Sequence, residues 1–373
     1  MRSIVLGRPF GITIELHWSF VLLVLFILGS ALAEGIESML STAMLFFFLF
    51  MSVVFHELSH GIVSIKRGIS VQRILLLPIG GIAVAEEIPE KPSDEFFISV
   101  SGPIFNFSVV LVVVLIVAFL PNLFPWHLLS SSATATDVDK AFLYYPFFTL
   151  LYVNLMLGSF NLLVPALPLD GGRVLRSLLS MKMGLLKATR IATTISAIIA
   201  IFLFIISFAA QSIILMVIAV FIFFGSREEA RVVEAKHALE NIKANKIIDK
   251  RPIIVEAQTP VGHVIRLLLS KRKFACLVDF GSDKYGVFDL DNLPEKILPL
   301  EPVGNYSVYV EPVSVDMPPS KILEKFMTKG YALVPVFDSG VLVGAISQSS
   351  IDYAYREIRI KEKLSEFLKT ESN

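Results

Sequence analysis

The sequence holds a single cysteine, Cys276, among 373 residues. That excludes an intramolecular disulfide framework and a cysteine-rich zinc site. Charge is also scarce: 18% of residues are Asp, Glu, Lys or Arg, with 33 cations against 33 anions. A chain without net charge exerts no long-range pull on nucleic acid, and no nucleic-acid partner is expected. Nothing at the N-terminus reads as a cleavable leader, so the first apolar run is expected to stay as an anchor. What fills the composition is apolar, at 54% of residues with a mean hydropathy of +0.71. This is the balance of a membrane protein.

Ionisable groups inside the apolar runs are therefore informative, because each costs roughly 2.5–3.5 kcal/mol to insert. The run that starts near Met39 ends in His56-Glu57-Leu58-Ser59-His60. Imidazoles at i and i+4 share one face of a helix and can bind one divalent metal. The adjacent carboxylate is then placed to act as general base. In a soluble protein this pattern is a common accident; inside an apolar span, composition rarely supplies it by chance.

The other spans follow from length and punctuation. His17-Trp18 opens the first, with Trp18 as an interfacial aromatic. Glu34 and Glu37 precede the second span, whereas Lys66, Arg67 and Arg73 follow it. The positive-inside rule then runs it toward the cytoplasm and puts the two histidines near the cytoplasmic side. Residues 70–87 are too short and broken to cross a bilayer. Two β-rich runs around Pro78-Ile79-Gly80-Gly81 predict a membrane-associated hairpin, whose free edge at Gly80 and Gly81 could pair with an extended substrate. A third span is expected from Phe96 to Leu120, with Asn106 either a packing hydrogen-bonder or a substrate contact. A Ser/Thr-rich external loop from Pro121 to Lys140 leads to a fourth span from Ala141 to Val164. That span breaks in Pro165-Ala166-Leu167-Pro168-Leu169-Asp170-Gly171-Gly172. Asp170 could cap the next helix, but its depth matches that of the histidines, and a third ligand leaves zinc one open position. The stretch Ile191–Phe224 exceeds one span and is expected to break at Ala209–Ser212. The total is about six spans with both termini cytoplasmic.

Beyond Gly225 the composition becomes charged and helical. The expected organisation is a membrane domain at 1–225, a linker at 226–247 and a soluble α/β domain at 248–373. Within the last, residues 248–298 and 306–359 repeat one strand–helix–strand–strand order.

Four motifs stand in a family's order: His56-Glu57-x-x-His60, the Pro-x-Gly-Gly hairpin, Gly102-Pro103-x-x-Asn106, and the Pro/Gly run ending in Asp170-Gly171-Gly172. Over about the first 225 residues the chain resembles the site-2 protease family of intramembrane zinc metalloproteases. The resemblance implies one zinc per chain on His56, His60 and Asp170, Glu57 as catalytic base, and a transmembrane protein segment as substrate. It also implies a scissile-carbonyl contact for an asparagine eight residues before the aspartate. Here Asn161 stands nine before, and one extra residue turns a helix by about 100°. Ser59 stands where a glycine is frequent. The C-terminal repeats resemble a tandem CBS pair, which implies homodimerisation or an adenosine nucleotide. The residues at the Thr/Ser and ribose positions are Ser347 and Ser350 in one half and Asp289 and Asn292 in the other, with no carboxylate at either ribose position. The competing readings are a CBS-gated transporter or channel lined by the intramembrane His, Glu and Asp, and an inactive scaffold without metal.

Overall fold

The computed structural model describes residues 3–371, except 78–79, 86–88, 90, 130–133, 241–243 and 295. Its contacts divide the chain into two compact units, Met1–Val233 and Glu234–Asn373.

The first unit opens with two strands, β1 (Ser3–Gly7) and β2 (Thr13–His17). His17 ends β2 and caps α1 (Trp18–Glu34), its Nδ1 accepting from the Ser19 backbone N–H at 3.3 Å. Gly35, at φ 135°, breaks the chain before α2 (Ile36–Lys66). Strands β3 (Val71–Leu77) and β4 (Gly80–Ala85) then form the expected antiparallel hairpin. Its tip, Pro78-Ile79, lies outside the described residues. The sequence did not reveal that β2 pairs in parallel with β3, Ile14 opposite Ile74, making one sheet of order β1-β2-β3-β4. Ile12, Ile74 and Leu76 seal this sheet against Leu58 of α2. Among the described residues β4 pairs with β3 alone, so its outer edge is open to β-pairing with another chain.

Next come α3 (Pro92–Phe119), α4 (Ala135–Tyr144), α5 (Pro146–Leu163), α6 (Asp170–Met183), α7 (Leu185–Ala209) and α8 (Ile213–Glu240). Two boundaries differ from expectation. The end of the supposed external loop is helical, because Thr134 and Asp137 form a reciprocal capping box that starts α4. The fourth span then begins at Pro146 rather than Ala141, since proline cannot continue a helix but is preorganised at its first turn. The expected break at Ala209–Ser212 is present between α7 and α8. Of the six spans expected, α2, α3, α5 and α7 are long and apolar enough to cross a bilayer by length and composition, and α1 is a shorter apolar helix.

Polarity in this unit is inverted relative to a water-soluble core. Leu111, Val112, Leu115, Ile201, Phe202 and Ile205 face outward, whereas Ser52, Asn106, Thr149, Asn154 and Ser196 are buried. Small and polar residues between helices, with apolar ones facing lipid, are how helices associate in hydrocarbon. At one end, Arg176 of α6 pairs with Glu95 of α3 at 2.5 Å and with Glu229 of α8 at 2.8 Å; Arg173 also reaches Glu229 at 2.8 Å.

The second unit holds two similar halves. One comprises β5 (Ile254–Glu256), α9 (Val261–Lys271), β6 (Ala275–Asp279) and β7 (Tyr285–Asp289), with β8 (Val308–Tyr309) added to its sheet. The other comprises β9 (Val313–Ser314), α10 (Pro319–Lys329), β10 (Leu333–Asp338), β11 (Val341–Ser347) and α11 (Gln348–Glu371). Each sheet packs against buried apolar side chains of its helices, Val264 and Leu268 in one half, Ile322 and Phe326 in the other.

Candidate metal centre

His56 and His60 lie one turn apart on α2, and both are buried. Asp170 is the first residue of α6. Leu169 holds the N-cap position, and the Asp170 carboxylate is turned away from the helix start toward the imidazoles. Capping is therefore not its task. Asp170 Oδ2 stands 3.1 Å from His56 Nε2 and 3.3 Å from His60 Nε2, and the two Nε2 atoms are 3.1 Å apart. The chain reaches this point through close backbone packing. A Cβ on Gly171 would lie 2.4 Å from the Leu162 carbonyl oxygen, and one on Gly172 would lie 2.2 Å from the Leu167 nitrogen. Only glycine fits after this aspartate.

The far side of each ring fixes what its near side offers. His60 Nδ1 is 2.7 Å from the Ile98 carbonyl, which can only accept, so Nδ1 carries the hydrogen. His56 Nδ1 is 2.5 Å from Asn106 Oδ1, with the same consequence. Both Nε2 atoms then present lone pairs to one another and to a carboxylate oxygen. Three lone-pair donors all within 4.8 Å repel unless a cation lies between them. A wall of the site is bare backbone: a Cβ on Gly102 would sit 2.4 Å from His60 Nε2 and 2.6 Å from His56 Nε2. The donor set fits a small divalent ion such as zinc.

The family model for peptidase family M50 matches residues 44–141 and 125–206, and that for the CBS domain matches residues 306–357. A zinc metalloprotease of Methanocaldococcus jannaschii is 33% identical over 368 residues, covering 98% of this chain and 99% of that one. The chain belongs to peptidase family M50. This M50 peptidase is also 24% identical over 249 residues to stage IV sporulation protein FB of Bacillus subtilis, covering 65% and 79% of the two chains. The solved site-2 protease of M. jannaschii aligns with 38% identity over 62% of this chain and 96% of that one, at a TM-score of 0.46. The chain is thus a multi-pass membrane metallopeptidase with a C-terminal CBS domain, and the transporter and scaffold readings give way.

The remaining expected site residues lie at several separate places. Glu57 is half-buried on α2, in electrostatic reach of both histidines and Asp170. Gly80 and Gly81 form the start of edge strand β4, opposite Leu77 and Leu76. Asn106 is fully buried behind His56 and bonded at both ends of its amide, to His56 and to Asn154. Asn161 donates to Leu157 O one turn back on its own helix, at 3.1 Å, and among the described residues no contact joins it to the three donors. In the second unit, Ser347 Oγ lies 2.8 Å from Ser350 Oγ, and Asp289 accepts from Asn292 at 2.8 Å, so each pair is internally bonded.

Sequence reasoning missed Asn154 and Ser52, which stand behind Asn106. The signal was present: a lone amide in the apolar run Leu151-Tyr152-Val153-Asn154-Leu155 must find partners inside the protein. Also unseen from sequence were the pairings of Arg173 with Glu229 and of Arg176 with Glu95.

Proposed function

We propose that this peptidase cleaves transmembrane segments of membrane-anchored proteins, using one zinc held by His56, His60 and Asp170, with Glu57 as base. The convergence of two imidazole lone pairs and a carboxylate oxygen within 3.3 Å supports that reading above all. Zinc there supplies a Lewis acid that polarises the peptide carbonyl and acidifies water. Glu57, beside the donors on the same helix, takes the water's proton and returns it to the leaving nitrogen. A helical substrate must first unwind, since its peptide bonds are shielded by their own hydrogen bonds. Pairing with the free edge of β4 favours the extended form.

The site is assigned to the cytoplasmic half of the membrane, with both termini in the cytoplasm, on the charge asymmetry around α2. The domain boundaries proposed are 1–225 for the membrane domain, 226–247 for a linker and 248–373 for a CBS pair. The pair is proposed to regulate the enzyme or to join two copies. With no carboxylate at either ribose position, an adenosine nucleotide is the weaker ligand proposal.

The test is co-expression with single-span membrane substrates, comparing wild type with Glu57→Gln and measuring bound zinc in both. The variant is expected to keep about one zinc per chain and to lose ~10²–10⁴-fold in cleavage. Undiminished cleavage by Glu57→Gln would remove Glu57 as the base; a wild type without zinc would remove the metal reading.

A further inference from the structure

A chain of buried amides crosses the membrane unit from α5 to the ring of His56. It begins at the Leu150 carbonyl, which accepts from Asn154 Nδ2 at 2.8 Å. A carbonyl can only accept, so the NH₂ end of Asn154 must face Leu150. The same NH₂ donates to Ser52 Oγ at 2.9 Å. Asn154 Oδ1 is then turned to Asn106, 2.8 Å from Nδ2. That in turn leaves Asn106 Oδ1 against His56 Nδ1, at 2.5 Å. Reversing Asn154 would set its NH₂ against that of Asn106 and its oxygen against the Leu150 carbonyl, and reversing Asn106 would set its oxygen against that of Asn154. The series has one allowed direction.

Nor can it relax outward. Asn106 and Asn154 are both fully buried, and water is not available to either as a substitute partner. Gly158 lets α5 close on α3, since a Cβ there would come within 3.0 Å of Asn106 Cβ. The relay thereby ties α2, α3 and α5 together at a single ring nitrogen.

We propose that Asn154, acting through Asn106, is a positioning residue that sets the tautomer of His56 and hence the capacity of the site to bind a cation. This rests on the assignment of His56 as a metal donor. Asn106 alone does not suffice, because an amide can present either end to an imidazole. With its NH₂ toward Nδ1, His56 would carry its hydrogen on Nε2 and would have no lone pair facing Asp170. The choice between these states is made at the Leu150 carbonyl, on a different helix.

The experiment uses the full chain in detergent as wild type, Asn154→Leu, Asn154→Ser and Ser52→Ala. Zinc affinity is measured by competition with a chromophoric chelator, and folding by thermal unfolding of the zinc-free protein. Serine at 154 keeps a polar group for Leu150 but is too short to reach Asn106, so it carries the test if leucine prevents folding. Both Asn154 variants are expected to bind zinc ~10–100-fold more weakly than wild type. Ser52→Ala is expected to stay within about two-fold, because the Leu150 carbonyl still orients Asn154. Imidazole ¹⁵N shifts of the zinc-free protein are expected to show His56 moving toward the Nε2–H form in the folded Asn154 variants and not in Ser52→Ala. A folded Asn154→Ser with wild-type affinity and tautomer would overturn the relay and leave the metal assignment intact. A loss in Ser52→Ala as large as in Asn154→Ser would overturn the role given to Leu150. Wild type that binds no zinc would instead sink the underlying metal assignment.

Discussion

Gly102 shapes the metal centre by having no side chain. Alanine there would put a methyl group 2.4 Å from His60 Nε2, where no atom can sit without displacing the ring. Gly102→Ala is therefore expected to weaken zinc at least ~10-fold and to destabilise by ~1–3 kcal/mol through overpacking, read by chelator competition and thermal unfolding. A second expectation concerns Cys276, whose thiol is pushed up to about 12 by burial. The unfolded chain ionises this thiol at a lower pH than the folded one. Its contribution to stability is thus complete below the unfolded pKa, about 8.5, and falls as pH rises above it. Slow labelling of the native protein by a thiol reagent, rapid labelling in denaturant, and a falling unfolding midpoint between pH 8 and 10 would check this. At this scale the sequence carried its strongest message in His56, Glu57 and His60, because helical spacing alone puts the histidines on one face. Asn106 was visible but ambiguous, since no local pattern says which neighbour an amide will meet.

Among elements, α6 joins the two parts of the site's support. Its first residue is Asp170, and one to two turns later Arg173 and Arg176 bind Glu229 and Glu95. Arg176→Met leaves Glu95 buried without a partner and is expected to cost ~3–5 kcal/mol. Replacing Glu95 by leucine in the same chain is expected to recover much of that, since an apolar pair of similar volume replaces a desolvated ion pair. Unfolding temperatures of the single and double variants give the comparison. The sequence exposed the Pro/Gly break that delivers Asp170, because unwound backbone has a compositional mark. It did not expose the pairing of Glu95, Arg176 and Glu229, which are far apart in the chain and joined only by packing. The parallel union of β2 with β3 was not legible either, because it depends on contacts across 60 residues. The start of the fourth span was misplaced because hydropathy does not register a proline boundary inside an apolar run.

For the molecule as a whole, the proposed metal donors come from α2 and α6, elements separated by more than a hundred residues. Zinc that binds only the folded arrangement stabilises it by RT ln(1 + [L]/Kd), about 4.1 kcal/mol at a thousand-fold excess over Kd. Chelation is accordingly expected to lower the unfolding temperature of wild type and of Glu57→Gln alike, and to leave His60→Ala unmoved. The histidine rings also restrict how the bundle can open. Helix α3 packs on α2, α5 and α6, and only its Gly102 can stand beside the imidazoles. A swivel of α3 by one residue, ~100°, would drive Ser101 or Pro103 into them. The third span therefore has a locked rotational setting and cannot serve as a revolving door. Entry of a peptide is expected to come from elements less bound to the centre, and α1, which buries none of its residues, is one of these.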